Sequence, residues 1–402
     1  MTRYLMVAPE FPPDTVGGGG VVFAELARRY MADGDVLVIT GQWRSPENGP
    51  LLRILPPRGV LAGVPLLRNS FDMPSLRSTL PPNRTGRSML RSLISAWRPS
   101  VAHLHGYGYL VVDCAARLLR EAGIPYVLTS HGLPTSPGEG RLAPVKTIAY
   151  RSYQAAFADR TARGAAIVTA VSRSAMPSRV QGTVIPNGVA PLACVECPTG
   201  PEHKASGWRV AACGRITRSK GFDILLGALG RLPTLSVECV IAGADGGDLA
   251  HLAQLAQKID PYVTVRFPGA TDRGGIAALM AWSDLVVMPS RSEPFGLVAF
   301  EALAAGKRVV ASRTGGLGDW LQDPALPVVL VEPVCEAALA EGIVSAMRRG
   351  APSDAEAHAV RMLLDVLDWE VVARRYLDLL HRVERCDDVL LEGGLQHDGV
   401  GG

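Results

Sequence analysis

LVVMPSRSEPFGLVAFEALAAGKRVVAS, residues 285–312, holds a complete βαβ step. Residues 285–289 are a short apolar run of strand length, and 290–296 bring in the Ser, Pro and Gly that end one. The spacing then predicts a helix from about Leu297 to Ala305, closed by Gly306, and a second β-branched run at 308–312. Such a step builds parallel sheet with a helix laid on one face. The rhythm continues in both directions. Towards the N-terminus it predicts strands at 4–8, 36–40, 101–105, 126–130, 166–171 and 184–186, with a clear helical period at 21–30. On the other side of a break at 191–207, where Pro, Gly, Cys and charged residues replace the pattern, strands are predicted at 208–213, 237–242, 263–267, 285–289, 308–312 and 328–331.

Two doubly wound α/β domains follow, joined by a linker. A last amphipathic stretch at 369–383 reads as a helix, and 386–402 reads as a disordered tail. At 402 residues and 48% hydrophobic, the chain exceeds what one core organises, which also argues for two domains. Net charge is only +3, too balanced for a nucleic-acid binder. The seven cysteines are scattered and mostly sit in apolar runs, as buried thiols in a reducing compartment do; Cys194 and Cys197 form one CxxC with no second pair to complete a zinc site. The opening run at 4–8 meets Pro9, Pro12 and Pro13 at once, so it reads as a first strand and not as a leader. No window reaches the ~20 apolar residues of a spanning helix, and the expectation is a cytoplasmic protein, at most peripheral at the inner membrane face.

In open parallel sheets ligands bind beyond the carboxyl ends of the strands. Most of the unusual residues fall there. After the first strand come Gly17, Gly18, Gly19 and Gly20, which either let backbone N–H groups approach an anion or simply make a flexible loop. The dinucleotide fingerprint fails, because Val22 stands where its third glycine belongs and no acid ends the next strand. After the strand at 208–213, Arg215, Arg218 and Lys220 surround a strand-to-helix turn, which suits a diphosphate or a solvated loop. Their order excludes a nucleotide-triphosphate loop.

Glu293 and Glu301 flank the Pro-Phe-Gly turn. Glu301 is set among Leu297, Val298, Phe300, Ala302, Leu303 and Ala305, so it needs a partner: sugar or ribose hydroxyls, or a protein donor such as Lys307 or an arginine. His103, His105 and His131 end the third and fourth strands, and a histidine there is either structural or the start of a site. No third ligand stands near the His103-x-His105 pair, so metal is not expected. Asp33-Gly34-Asp35 mimics a metal-binding DxD but falls in a helix-to-strand turn at the opposite edge.

Taken in order, the Gly17–Gly20 loop, His105, Ser130-His131-Gly132, the 184–189 stretch with Asn187-Gly188, Gly214-Arg215, Lys220-Gly221, the Glu293/Glu301 pair and Thr314-Gly315-Gly316 resemble retaining glycosyltransferases of the GT-B fold, particularly family four. The resemblance implies an N-terminal Rossmann-like acceptor-binding domain at 1–190, a linker at 191–207, a C-terminal Rossmann-like nucleotide-sugar-binding domain at 208–365, and a helix at 366–385 crossing back to the first domain. It implies two domains facing each other across a cleft. In that family Arg215 and Lys220 would hold the donor diphosphate, Glu301 would accept the ribose hydroxyls, and Glu293 with Phe295, Gly296 and Leu297 would position the donor sugar. Gly17, Gly18 and Gly19 would cover the phosphates and His131 would touch the sugar. His105 and Asn187 fall to the acceptor.

The implied reaction is metal-independent and cofactor-free, retaining, and of front-face type, in which the departing phosphate oxygen takes the acceptor proton; the two glutamates are then no glycosidase pair. A UDP-sugar is the favoured donor, with GDP- and ADP-sugars as alternatives. A catalytically silent nucleotide-sugar-binding subunit, or a phosphorylase or epimerase of the same fold, are the competing classes. Two departures concern fine contacts: an acidic 241–247 loop where Gly-x-Gly is common, and Ala190 where an Asp is common.

One region carries an excess of cations. Arg53, Arg58, Arg68, Arg77, Arg84, Arg87, Arg91 and Arg98 face a single acid, Asp72. The Arg84–Arg98 part reads as a basic amphipathic helix with Met89, Leu90, Leu93, Ile94 and Trp97 on one face. It is either a core-facing helix with solvated arginines or a contact for anionic lipid or an anionic acceptor.

Overall fold

The computed structural model describes residues 1–11, 18–41, 51–55, 62–65, 84–132, 148, 151–190, 207–232, 236–259 and 261–385. Gly17, Cys194 and Cys197, the predicted linker except Gly207, and the predicted tail lie outside the described residues. The chain divides into two compact units, Met1–Gly188 with the stretch from Trp369, and Val189–Asp368.

In the first unit the elements run β1 (Arg3–Ala8), α1 (Gly18–Asp33), β2 (Asp35–Gly41), β3 (Leu51–Leu55), β4 (Ala62–Pro65), α2 (Arg84–Trp97), β5 (Val101–His105), α3 (Leu110–Glu121) and β6 (Tyr126–Ser130). A π-helical turn (Gln154–Ala158) leads into α4 (Asp159–Arg163), then β7 (Ile167–Ala170) and β8 (Thr183–Val184). The sheet order is β4-β3-β2-β1-β5-β6-β7-β8. Strands β5 and β6 are buried along their whole length, as expected for parallel strands covered on both faces. The antiparallel pairs β2·β3 and β3·β4 depart from the all-parallel expectation. Their sequence sits among Pro56, Pro57, Gly59, Gly63 and Pro65, which reads as loop; the edge of β2 supplies the partner that makes it strand.

Helix α2 turns Leu90 and Ile94 into the core, with Leu93 and Trp97 packed beside them, while Arg91 pairs with Glu121 at 2.9 Å. The last helix, α12 (Trp369–Glu384), returns to this unit. Its Tyr376 ring lies 4.9 Å from His103, and its His381 Nε2 is 2.7 Å from Tyr4 Oη and 3.0 Å from Asp33 Oδ2. Asp33 thus closes α1 just before β2 begins at Asp35, in the turn read from the sequence.

The second unit is all parallel, in the order β11-β10-β9-β12-β13-β14. It runs β9 (Trp208–Cys213), α5 (Phe222–Leu229), β10 (Val237–Ala242), α6 (Leu249–Ala256), β11 (Val263–Gly269), α7 (Arg273–Trp282), β12 (Leu285–Met288) and α8 (Leu297–Ala304). Then come β13 (Arg308–Ser312), α9 (Gly315–Trp320), β14 (Val328–Val331), α10 (Glu336–Arg349) and α11 (Asp354–Val366). Arg308, buried at the start of β13, is held by Glu356 at 2.7 and 2.9 Å, and Glu356 also completes the capping box with Ser353 at the start of α11. No described helix is long and apolar enough to cross a membrane.

Candidate active site

The order of the second sheet reverses between β9 and β12, so the loops leaving these neighbouring strands diverge and open a crevice at their carboxyl ends. Lys220 comes from the first loop and Glu293 from the second. Their Nζ and Oε2 lie 2.5 Å apart, with a quarter of the lysine side chain exposed and 9% of the glutamate's. Backbone lacing holds the loops in register: Arg291 N donates to Ser219 O at 2.8 Å, and Gly316 N, in the first turn of α9, donates to Glu293 O at 2.7 Å. Two glycines make this approach feasible. Gly221 (φ +67°) leaves no room for a Cβ, which would stand 2.0 Å from Pro289 O, and at Gly315 (φ +52°) a Cβ would stand 2.2 Å from Glu293 O. Arg215 is exposed on the first of these loops.

Arg291 was absent from the sequence-derived site. Its guanidinium grips Asp223 at 2.6 and 2.7 Å and Arg218 O at 2.9 Å, tying the β12 loop to the start of α5. The backbone of the 214–221 loop is therefore anchored by a fixed fork, while Arg215 and Arg218 themselves stay exposed.

Glu301 lies on α8 with 16% of its side chain exposed, and its partner is Arg273 at the start of α7, Nη1 to Oε1 3.6 Å. Lys307, the other partner considered from the sequence, donates to Ala281 O and Ser283 O instead. Burial pushes the Glu301 carboxyl up, and Arg273 opposes that. Behind it, the buried Cys213 thiol at the end of β9 is pushed up to about 12 by burial, with Glu301 adding to the rise and Lys220 opposing it. Phe295 is 3% exposed and stacks on Phe300 at 4.6 Å, so its ring belongs to the core and only its backbone faces the turn. Gly296 is the left-handed residue before α8, and Leu297 opens the helix half-buried.

In the first unit the order reverses between β1 and β5. His105 Nδ1 lies 3.0 Å from His131 Nε2, so one ring donates and the other accepts. Phe23 of α1 packs on both rings, with centroids at 4.7 and 5.0 Å. His103 bridges Tyr30 Oη (2.9 Å) and Thr129 Oγ1 (2.6 Å), which makes it a satisfied core histidine. Burial holds His103 and His131 down to about 3 and His105 well below its ordinary value, so all three rings are neutral.

At the start of α1, Gly20 N donates to Glu10 Oε1 at 2.9 Å, and Gly19 lies against the same oxygen. Gly18 is exposed and Gly17 lies outside the described residues. Glu10 was not foreseen. Its position two residues past β1, on the glycine side, is the signal that pointed to it. Asn187 is buried beside Gly188, which rests on the Trp369 ring. Among the described residues no group of three His, Cys, Asp or Glu is placed to hold a metal ion.

Known proteins resemble this chain in sequence and fold. A family model described as "Glycosyl transferases group 1" matches residues 201–360, and one described as "Glycosyl transferase 4-like domain" matches residues 17–188. The chain is 29% identical over 395 residues, 92% of each chain, to a glycogen synthase of Mycobacterium tuberculosis. It is 31% identical over 329 residues, 75% of each, to D-inositol 3-phosphate glycosyltransferase 1 of Catenulispora acidiphila. The structure of Anabaena HepE in complex with UDP and glucose superposes with a TM-score of 0.64 at 19% identity, covering 95% of this chain and all of that one. With matched family models on both units and a relative this similar over most of its length, the chain belongs to the group 1 glycosyltransferases, and its fold is GT-B.

Proposed function

We propose that the protein is a retaining, metal-independent hexosyltransferase that moves a sugar from a nucleotide-sugar donor, UDP-sugar in preference to GDP- or ADP-sugar, to an acceptor hydroxyl. The observation that carries this reading is the Lys220–Glu293 pair at the switch point of the second sheet, with Arg215 on the same connection as Lys220 and Glu301 one turn into the helix that follows Glu293. A lysine at this point supplies a compact charge to a diphosphate, and Arg215 a forked one. Glu293 then turns from ammonium to sugar hydroxyls as the diphosphate takes the ammonium. Glu301 accepts from the ribose diol. In the first unit, His131 is assigned to the donor sugar, Gly17, Gly18 and Gly19 to the phosphates, and His105 and Asn187 to the acceptor.

In the reaction the bond between the anomeric carbon and the β-phosphate oxygen breaks as the acceptor oxygen bonds to the same face. The acceptor proton passes to the departing phosphate oxygen, and Lys220 and Arg215 stabilise the charge that develops there. No protein nucleophile takes part. Structures of this fold carry UDP in HepE and ADP in Arabidopsis starch synthase IV, so both donor classes belong in the test. The test is a panel of UDP-, GDP- and ADP-hexoses with mixed saccharide, inositol-phosphate and lipid-linked acceptors in EDTA. The expected product keeps the donor's α-configuration, read from the anomeric proton coupling. An inverted product, or turnover that depends on added divalent cation, overturns the reading.

A further inference from the structure

Glu301 and Arg273 arrive from two different strand-to-helix connections. Arg273 is the first residue of α7, and the cap before it, Asp272 accepting from Gly275 N at 2.8 Å, fixes where that helix begins. The pair is unequal, with 16% of the Glu301 side chain exposed against 51% of Arg273. An exposed pair at 3.6 Å would be worth little. Here one partner is set in an apolar helix, and burial opposes its ionisation. The titratable groups that face Glu301 are Arg273 from α7 and the Cys213 thiol from β9, which stays neutral; Lys220, which also faces Cys213, is engaged by Glu293. Among the described residues Arg273 is thus the cation that offsets the burial of Glu301.

We propose that Arg273 is a positioning residue for the nucleotide, acting through Glu301: it keeps the carboxylate ionised and so able to accept from both ribose hydroxyls. This rests on the reading of Glu301 as the ribose acceptor. A protonated carboxyl turns one acceptor oxygen into a donor, and a diol that must donate twice then loses a partner. Without Arg273 the proton stays on to higher pH, so nucleotide affinity falls as pH falls through that raised value, in a range where the native protein still binds well.

The test is calorimetric titration of the full chain with UDP and with 2′-deoxy-UDP between pH 5.5 and 8.5, for the native protein, Arg273→Ala, Arg273→Gln, Arg273→Lys and Glu301→Ala. Taking the ratio to the native protein at each pH cancels the titration of the diphosphate itself. Arg273→Ala should bind UDP several-fold more weakly than the native protein at the acid end of this range, with the gap closing to within about twofold at pH 8.5. Arg273→Lys should restore the native profile, Arg273→Gln should not, and the preference for UDP over the deoxy analogue should fade in Arg273→Ala only on the acid side. An Arg273→Ala profile parallel to the native one, or rescue by Gln as good as by Lys, overturns the role of Arg273 alone. Equal binding of UDP and 2′-deoxy-UDP by the native protein, or native affinity in Glu301→Ala, removes the ribose reading and this inference with it.

Discussion

At the ends of β5 and β6 three imidazoles stand within ring contact of a neighbour and none carries a charge, whereas at the ends of β9 and β12 a lysine and a glutamate meet at 2.5 Å. The second place is the reversal point of its sheet, and the first adjoins the reversal between β1 and β5. Their chemistry is opposite. Neutral rings donate and accept without favouring either charge, which suits hydroxyl groups; a partly exposed ammonium on a connection that also carries Arg215 suits an anion. One architecture thus serves two tasks, and the difference lies in which side chains end the strands and how deeply each is buried.

The sharpest way to break this comparison is acid. A histidine whose folded value is depressed takes up its proton more readily in the unfolded chain, so its stabilising effect is complete above about pH 6.5 and is lost as pH falls towards about 3. Each such ring costs up to about 1.4 kcal/mol per pH unit in that window. In the second unit Glu356, held down to about 2 chiefly by its bond from Arg308, keeps its full contribution above about pH 4.5 and loses it as pH falls towards about 2. Hydrogen exchange at pH 7 and pH 5 should therefore show β1, β5 and β6 losing protection before β9, β12 and β13. Persistence of the first sheet at pH 5 would contradict the neutral-histidine account.

On the charged side, Lys220→Ala should lower turnover by about 10²–10³-fold, the scale of a lost transition-state charge partner, measured in steady state with the best donor. A loss confined to KM would show that the lysine serves ground-state binding only. Glu301→Ala should weaken UDP by about 10–100-fold with a smaller change in kcat, as for lost hydrogen bonds to a charged group. In the same position Glu301→Gln should raise the melting temperature of the nucleotide-free protein by about 1–3 °C, since an uncharged amide relieves the burial that pushes this carboxyl up. The smallest effect belongs to α2. Arg91→Ala should change stability by less than about 0.5 kcal/mol, because its pair with Glu121 is exposed, and co-sedimentation of Arg87→Ala/Arg91→Ala with anionic vesicles at low salt decides whether the helix touches lipid at all.

Much of this comparison could be read before the fold was known. Strands such as Trp208–Cys213, Val237–Ala242 and Arg308–Ser312 are buried on both faces, and continuous apolar runs announce that in one dimension. The ends of those runs then located Lys220, Glu293, His105 and His131 on carboxyl edges. The hairpin β3·β4 was illegible because its pairing is supplied by β2 and its own residues speak for a loop. The partners were illegible for a different reason. Lys220 and Glu293 are 73 positions apart, Arg291 and Asp223 are 68, and Glu301 found Arg273 rather than the nearer Lys307; side-chain pairing across connections is decided by sheet order, which no local pattern records. Phe295 shows the same limit, since nothing local told a ring facing a ligand from one stacked on Phe300.

The division of the chain has a consequence for biosynthesis. The second unit is a single continuous segment, Val189–Asp368, inserted into the first, and its two ends meet, with Val189 N donating to Leu367 O at 2.8 Å and bridging to Asp368. All of its strands are therefore made before Trp369–Glu384, and its two ends close on each other within the unit. The first unit, although its strands are made earliest, must wait for Trp369–Glu384 to bring Tyr376 against His103 and His381 against Tyr4. The part synthesised first is the part completed last, and until then its histidine layer stands uncovered on one side.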